Sequence, residues 1–374
     1  MNSPETFDNI FSGKTVFVTG HTGFIGTWLS FWLKSLGANV VGYSIDIPTK
    51  PSMFEVIELK NHITHITGDI NNLEKLQDSI DECKPSFVFH LAAQPLVRTS
   101  YEKPIETLQT NIMGTVNLLE SIRNMPSVRS CVLMTTDKVY KNFEKNYAYN
   151  EDDHLGGYDP YSTSKASAEL VIASYTNSFF KSSNNESKIG IASVRAGNVI
   201  GGGDWGNDRI IPDCVRALIS RKKIPIRNPE HVRPFQYILD PINGMLKLSQ
   251  KMWNEPAFFS TSWNMGPENS KDVIQVKQLV NEVIKKWGYG EWQDVCTLND
   301  EAKHEAKLLM LDSSKSKKIL NWNTILSIEQ AVHETISWYA SFNEKKIDMT
   351  KFSLSQIENF SKKLKKLDSI HTGE

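Results

Sequence analysis

Two side chains four residues apart, Tyr161 and Lys165, form a pair that could carry out acid–base chemistry. On a helix, positions four apart share one face. An ammonium group beside a phenol favours the phenolate form and lowers the pKa of the tyrosine towards neutrality. Such a pair can take a proton from an alcohol or return one to a ketone. The pattern often arises by chance, so its meaning depends on the motifs that precede it.

A second candidate set is Thr135-Thr136-Asp137-Lys138, which follows a predicted strand. The hydroxyl of Thr136 could hydrogen-bond a substrate oxygen near Tyr161. The adjacent carboxylate and amine of Asp137 and Lys138 would supply a further acid and base. The alternative is a surface turn with an ion pair, which is common and contributes little to stability.

A glycine motif, Gly20-His-Thr-Gly23-Phe-Ile-Gly26, directly follows a β-rich run and opens a helical pattern. Its glycines allow a tight turn and a close approach of a pyrophosphate to backbone N–H groups, and the helix N-terminus adds partial positive charge. The context of strand, turn and helix predicts a dinucleotide site. The predicted contacts are Gly20, Thr22, Gly23, Phe24, Ile25 and Gly26.

Two acids follow later predicted strands. Asp46 lies 26 residues after Gly20, where a carboxylate would hold the adenosine ribose hydroxyls and favour NAD over NADP. If the strand ends at Ser44, Asp46 lies in a loop, and Lys50 could instead meet a 2′-phosphate. Asp69 suits the adenine amino group, although aspartate is also a common turn residue.

The elements that must position these residues alternate between strand and helix. Apolar patterning predicts strands at 15–19, 39–45, 63–67, 86–91 and 130–135 and helices at 24–36, 73–83 and 105–124. This order predicts an open, doubly wound parallel sheet, the Rossmann-like α/β fold. Such sheets bind ligands at the carboxyl ends of their strands, where the candidate residues lie.

The second half of the chain is less regular. A further strand is predicted at 189–195, with helices at 210–220 and 239–251 and amphipathic helices between about 265 and 345. The Lys- and Ser-rich residues 346–374 are interpreted as a terminal surface helix or a partly ordered tail.

Composition excludes several classes of protein. The chain has 374 residues and a formal net charge of −1, from 42 Lys and Arg against 43 Asp and Glu, which argues against a dedicated nucleic-acid binder. Its four cysteines lie far apart and form no Cys-x-x-Cys pair, so no zinc site or disulfide scaffold is indicated. No apolar stretch is long enough to span a membrane. The N-terminus does not resemble a signal peptide, so we expect a cytoplasmic enzyme.

With these motifs in chain order, the sequence resembles the extended short-chain dehydrogenase/reductases that act on nucleotide sugars, most closely the CDP-glucose 4,6-dehydratases. The stretches that carry the resemblance are GHTGFIGTW (20–28), GYSIDIPTKPSMFE (42–55), GDI (68–70), HLAAQPLVRTSYEKP (90–104), TNIMGTVNLLE (110–120), TTDKVY (135–140), LGGYDPYSTSK (155–165), RAGNVIGGGDW (195–205), RPFQYILDP (233–241) and, more weakly, KKILNWNTILSIEQAVHETISWY (317–339). We assign no counterpart in the family to the last 30 residues.

The resemblance implies an internal redox cycle with bound NAD. Tyr161, supported by Lys165 and Thr136, would take the proton of the sugar 4-hydroxyl as hydride leaves C4. The 4-keto group acidifies C5–H, a base removes that proton, an acid protonates the departing 6-hydroxyl, and hydride returns to C6. The product would be a 4-keto-6-deoxy sugar.

The resemblance also implies further contacts. Cofactor contacts carried over from the family are Ile70, Leu91, Ala92, Ala93 and Asn111, and substrate contacts are Gln94, Arg98, Asn198, Arg209 and Arg233. Arg209 and Arg233 would hold the pyrophosphate, unless they are simply ion-paired or solvated. The implied organisation is an NAD-binding domain at 12–200, completed by about 234–266, and a smaller, mostly helical nucleotide-sugar lobe at 201–233 and 267–345. A homodimer or homotetramer would pair through helices 104–124 and 161–180, although an apolar stripe that faces the core would have the same pattern.

Several alternatives stay open. Many 4,6-dehydratases carry Asp-Glu after the threonine, whereas this chain has Asp137-Lys138, as the CDP-glucose members do. Asp137 suits the acid on the 6-hydroxyl if its pKa is raised. Lys138 could be the C5 base if it is neutral, or could stabilise the enolate as a cation. A 4-epimerase has no use for this pair. A 4,6-dehydratase for a UDP-, dTDP- or GDP-linked sugar and a non-catalytic NAD sensor are the other candidates, and no metal is expected.

Overall fold

A computed structural model describes residues 6–181, 189–267, 273–295 and 308–372. In chain order its strands are β1 (Thr15–Thr19), β2 (Asn39–Ser44), β3 (Thr64–Thr67), β4 (Phe87–His90), β5 (Ser130–Met134), β6 (Ala148–Tyr149), β7 (Gly190–Ala196), β8 (Val199–Ile200), β9 (Ile224–Ile226), β10 (Val232–Pro234), β11 (Gln236–Tyr237), β12 (Ser262–Met265), β13 (Val273–Gln275), β14 (Trp292–Asp294) and β15 (Met310–Leu311). The helices are α1 (Phe24–Ser35), α2 (Met53–Val56), α3 (Leu73–Cys83), α4 (Val97–Glu102), α5 (Pro104–Leu108), α6 (Gly114–Arg123), α7 (Pro160–Tyr175), α8 (Ile210–Ile219), α9 (Leu239–Asn254), α10 (Pro256–Phe259), α11 (Val276–Trp287), α12 (Ser314–Leu320), α13 (Ile328–Glu344) and α14 (Met349–Thr372).

Seven strands form one parallel sheet in the order β12-β7-β5-β4-β1-β2-β3. Helices cover both faces, because strands such as β4 (FVFH) are buried along their whole length and need apolar cover on each side. The helices α1, α9, α13 and α14 contribute to the core on one face, and α3, α6 and α7 to the core on the other. The doubly wound Rossmann-like fold expected from the sequence is confirmed.

The strand order reverses between β1 and β4: the chain runs outward through β2 and β3 on one side of β1, and through β5 and β7 on the far side of β4. In such a sheet the crevice at this switch point is where ligands bind. The predicted strands and helices of the first half match the observed ones to within one or two residues, with one exception.

The exception is the helix predicted at 105–124. It is interrupted by a π-helical turn at Gln109–Met113, so α5 and α6 are separate segments. A π turn inserts one extra residue per turn, and such turns often occur at functional sites.

Outside the main sheet, short strand pairs hold the second half together: β10 with β13, β8 with β11, β9 with β14 and β6 with β15. The terminal helix α14 packs its Phe360 ring against Trp32, 5.7 Å between ring centroids, and against Tyr237 at 6.3 Å. The indole of Trp338 on α13 donates a hydrogen bond to the Ser353 hydroxyl at 2.9 Å. No helix in the described part of the chain is long and apolar enough to cross a membrane.

Candidate active site

The glycine turn lies at the sheet's switch point and is too crowded for side chains. Gly20 has a φ of +73°, and a Cβ there would lie 2.6 Å from the Ala92 nitrogen and 2.7 Å from the Leu91 carbonyl carbon. A Cβ at Gly26 would lie 2.1 Å from the Gly20 oxygen. These contacts bring the turn after β4, with Leu91, Ala92 and Ala93, directly against the turn after β1. Gly23 is the N-cap of α1, and Phe24 and Ile25 open the helix.

Polar side chains tie this turn to β2 and β3. The Thr22 hydroxyl donates to the Asp46 carbonyl at 2.6 Å. His21 bridges the Ser44 hydroxyl, 2.9 Å from Nδ1, and Nδ1 of His65, 2.7 Å from Nε2. Burial, together with the nearby His65, lowers the pKa of His21 to about 3, so its ring is neutral. The turn is therefore held rigidly against the carboxyl end of the sheet.

The two candidate acids occupy different settings. Because β2 ends at Ser44, Asp46 lies in the following loop with an exposed side chain, as does Lys50. Asp69 follows β3 directly, and its Oδ1 accepts hydrogen bonds from the backbone N–H and side-chain amide of Asn71, at 2.9 and 3.1 Å. Its neighbour Ile70 is buried.

The π turn places Asn111 towards the sheet. The Asn111 side chain accepts from the Gln94 backbone N–H at 2.8 Å and donates to the Gln94 carbonyl at 3.1 Å. It also donates to the Ser164 hydroxyl at 2.8 Å. Asn111 therefore joins the turn after β4 to α7, and it is buried.

The segment after β5 brings three candidate catalytic groups together. The Thr136 hydroxyl donates to Asp137 Oδ1 at 3.0 Å, and Lys138 Nζ donates to the same oxygen at 3.3 Å. Asp137 is only 1% exposed, so the pair is not a surface turn. The other oxygen, Asp137 Oδ2, is buried and has no hydrogen-bond partner among the described residues. A Cβ at Gly197 would lie 3.1 Å from it, so the turn that carries Asn198 bounds the open side of the carboxylate.

Tyr161 lies in the first turn of α7, facing this segment. Burial raises its pKa, while Lys138, a hydrogen bond with Thr136 and Arg209 lower it. We expected Lys165 to lower the pKa of Tyr161 towards neutrality, and this expectation is wrong. Burial raises the pKa by more than the nearby cations lower it, and the foremost of those cations is Lys138.

Lys165 lies one turn further along α7. Its ammonium donates to the Met134 carbonyl at 3.2 Å. Burial lowers the pKa of Lys165 to about 8, and Glu169 opposes this fall. An amine with a pKa near 8 exchanges protons readily at neutral pH.

Two of the candidate substrate residues, Arg209 and Arg98, lie at the loop after β8. Arg209 pairs with Asp204, whose carboxylate oxygens lie 3.1 and 3.0 Å from its Nη1. Arg98 on α4 lies 3.5 Å from Asp208, and it is more exposed. Arg233 is buried on β10 and donates to the Val232 carbonyl at 3.0 Å.

Sequence reasoning missed the residues beneath this site, above all Glu169 and Arg195, which form a buried ion pair of 2.7 Å. Glu169 lies four residues after Lys165, so helical spacing could have found it. No comparable signal marks Arg195, which belongs to β7.

The fold and the site define a class: a Rossmann-like α/β protein with a dinucleotide-type glycine turn and a Tyr-Lys pair at its switch point. A family model described as GDP-mannose 4,6 dehydratase matches residues 17–335. The chain belongs to this family.

Individual relatives agree with the family. The chain is 46% identical over 337 residues to a CDP-glucose 4,6-dehydratase of Salmonella typhimurium, covering 89% of this chain and 92% of the relative. It is 27% identical over 328 residues to a UDP-glucuronate 4-epimerase of Thermodesulfobacterium geofontis, covering 86% and 94%. Among solved structures, a dTDP-glucose 4,6-dehydratase of Bacillus anthracis in complex with NAD has the same fold, with a TM-score of 0.72 at 22% identity, covering 89% of this chain and 98% of that one.

Proposed function

We propose that this protein is a CDP-glucose 4,6-dehydratase, an NAD-dependent lyase that converts CDP-D-glucose to CDP-4-keto-6-deoxy-D-glucose and water. The observation that carries the proposal is the Asp137–Lys138 pair beside Thr136 and Tyr161, in which the carboxylate of Asp137 is buried. An oxidation at C4 needs only the threonine, tyrosine and lysine, whereas loss of the 6-hydroxyl needs an additional acid and base. The 46% identical relative supports CDP-glucose as the substrate.

The residues present fit NAD. The crowded, glycine-only turn brings backbone N–H groups and the α1 N-terminus to the switch point, where a pyrophosphate would be held. An open surface cavity of about 520 Å³ is bordered by Asp69, Asn71 and Thr110, and we propose that the adenine ring binds there. Residues that would hold the cofactor are Gly20, Thr22, Gly23, Phe24, Ile25, Gly26, Asp46, Asp69, Ile70, Leu91, Ala92, Ala93, Asn111, Tyr161 and Lys165. When bound, NAD supplies a hydride acceptor for C4 and a hydride donor for C6 of the same sugar.

Tyr161 acts on the sugar 4-hydroxyl in this proposal. Its phenolate takes the hydroxyl proton as C4 is oxidised, and the Thr136 hydroxyl holds the same oxygen. Burial opposes the phenolate, but Lys138 and Arg209 favour it. We propose that Lys165, whose pKa is lowered to about 8, takes part in proton exchange at this site.

The Asp137–Lys138 hydrogen bond supplies both groups that elimination needs. A proton that moves across the 3.3 Å contact from Lys138 Nζ to Asp137 Oδ1 leaves a neutral amine and a protonated carboxyl. The amine then takes the C5 proton, the C5–H electron pair forms the C5–C6 double bond, and the C6–O bond breaks. Asp137 gives its proton to the departing oxygen, water leaves, and the Asp137–Lys138 ion pair is restored. As C6 receives hydride, the Lys138 ammonium returns a proton to C5, which completes the 4-keto-6-deoxy sugar.

The nucleotide sugar would lie across the crevice from the cofactor. We propose that Arg209 and Arg233 hold its pyrophosphate, because guanidinium groups are suited to phosphate oxygens. Gln94, Arg98 and Asn198 would complete the substrate site. The domain division follows: residues 12–200 with about 234–266 for the cofactor, and 201–233 with 267–345 for the sugar nucleotide.

We also propose that the protein pairs through α5, α6 and α7. These helices and the π turns that follow α5 and α7 expose large apolar side chains, namely Ile105, Met113, Leu170 and Phe179. Sedimentation analysis would test this, since a monomer at micromolar concentration would contradict it. A cytoplasmic location stays a prediction.

The test of function is incubation with CDP-glucose, UDP-glucose, dTDP-glucose and GDP-mannose, each separately and without added reductant. We expect loss of water from CDP-glucose, followed by mass spectrometry, and a 4-keto chromophore in alkali. Conversion of any of these sugars to its 4-epimer without dehydration would refute the elimination role of Asp137 and Lys138. Dehydration of another sugar alone would refute the proposed base specificity.

A further inference from the structure

The buried ion pair of Glu169 and Arg195 contacts both ends of segment 135–140, which carries the proposed catalytic residues. We propose that Glu169 and Arg195 are positioning residues that hold Thr136, Asp137 and Lys138 in their reactive arrangement. This inference rests on the proposed function. Neither residue reaches the open side of the site, so both would act through the segment they hold.

Glu169 holds the beginning of the segment. Its Oε1 accepts a hydrogen bond from the Thr135 hydroxyl at 2.5 Å. Its Oε2 accepts from the Ser193 hydroxyl at 2.8 Å and from Arg195 Nη2 at 2.7 Å. The carboxylate therefore has partners on both oxygens, and Thr135 immediately precedes the catalytic Thr136.

Arg195 holds the end of the segment. Its Nη1 donates to the Tyr140 hydroxyl at 2.9 Å, and its guanidinium lies 5.1 Å from the centre of the Tyr140 ring. The Tyr140 hydroxyl in turn donates to Asn264 Oδ1 at 2.6 Å. Tyr140 follows the short 3₁₀ turn Asp137–Val139, which presents the acid and the amine.

The residues of this network are shielded from water, so their polar groups depend on one another for hydrogen bonds. Glu169 is 3% and Arg195 4% exposed, and Asn264 is fully buried. Separating the two charges would leave each of them buried without a partner, which is costly. The residues bonded to the pair therefore have little freedom to shift.

Stability alone is a poor explanation for the pair. Buried ion pairs often add little or nothing compared with apolar side chains of similar volume. This pair joins α7, which carries Tyr161 and Lys165, to the segment that carries Asp137. It therefore sets the distance between the two halves of the catalytic set, and catalytic rates fall steeply when reacting groups are misplaced.

The test is Y140F, which removes only the hydroxyl between Arg195 and Asn264. We expect kcat for CDP-glucose to fall about tenfold or more, because small displacements of reacting groups cost up to about a hundredfold. KM should stay within about twofold, because no proposed substrate contact changes. The matched control is Y149F. The Tyr149 ring stacks on Tyr140 with centroids 5.3 Å apart, but among the described residues its hydroxyl bonds only Asn142 and Phe143. Y149F should keep kcat within about twofold.

Crystal structures of the wild type and Y140F give a second readout that does not depend on turnover. We expect residues 136–138 to shift relative to Tyr161 in Y140F. An unchanged kcat in Y140F, or an equal loss in Y149F, would overturn the positioning role. If the wild type acts on no nucleotide sugar, the proposed function is wrong. The crystal structures still test this inference, because residues 136–138 that keep their positions in Y140F would overturn it.

Discussion

Replacement of Lys138 separates two chemical roles that its position allows. K138R keeps a positive charge, but a guanidinium stays protonated and cannot accept the C5 proton. K138M removes both the charge and the base. We expect K138R and K138M to be equally defective, because the proton shift to Asp137 leaves the amine neutral at the moment of elimination.

The structure sets the size of the effect. Lys138 Nζ lies 3.3 Å from Asp137 Oδ1, and its side chain is 25% exposed. With an effective dielectric constant of about 20, two charges at this separation interact by about 5 kcal/mol. At about 1.4 kcal/mol per factor of ten, an enolate held equally close would gain about four thousandfold from the charge alone. A general base contributes about a hundred- to ten-thousandfold.

Loss of activity in K138M therefore cannot distinguish the roles, and K138R can. The assay is the rate at which CDP-glucose loses water, followed by mass spectrometry. We expect kcat of K138R to fall by about a thousandfold. The matched control is K141R on the exposed chain nearby, which should behave as wild type. If K138R keeps kcat within about tenfold of the wild type, Lys138 is an electrostatic stabiliser and the proposed base is wrong.

Three further predictions concern stability. The pKa of Lys165 is lowered from 10.5 to about 8 in the folded protein, so the unfolded chain binds more protons between pH 8 and pH 10.5. The free energy of unfolding should therefore rise by about 3 kcal/mol over this range in the wild type relative to K165M. Parallel pH profiles of the two proteins would contradict this. G20A should lower the free energy of unfolding by about 3 kcal/mol or more, since its Cβ would overlap the backbone after β4, whereas G13A meets no atom within 4 Å and pays only for its positive φ; equal losses in urea titrations would disprove the close approach. S353A should lower the free energy of unfolding by about 1–3 kcal/mol, because it leaves the buried Trp338 indole N–H on α13 unpaired. S355A should lower it less, since the Ser355 hydroxyl bonds only a carbonyl of its own helix in the described part of the chain. Coincident thermal melts of the two variants would rule this out.

Much of the architecture follows from local patterns. The strand β1 and the helix α3 have the bounds that the sequence predicts, because apolar periodicity and N-capping act over a few neighbouring residues. The glycine turn is equally local, since its residues are consecutive. The alternation of strands and helices then leaves few topologies, and the parallel doubly wound sheet is the expected one.

Other features escaped local reasoning. The apolar pattern of residues 105–124 runs through the π turn without a break, so the inserted residue that directs Asn111 towards Gln94 has no signature. The terminal segment has a weak pattern because its buried positions face several different elements. Only packing against Trp32, Tyr237 and Trp338 shows why α14 forms part of the core.

The sequence by itself determined which groups can do chemistry: the glycine turn, the Thr-Asp-Lys segment and the Tyr-Lys pair, each fixed by spacing along the chain. Tertiary structure alone decided their electrostatics. Burial raises the pKa of Tyr161, Lys138 rather than Lys165 is foremost among the cations that oppose this, and Glu169 pairs with a strand residue 26 positions away. Coulombic and desolvation energies depend on distance through space and on exclusion of water, and neither can be read from separation along the chain.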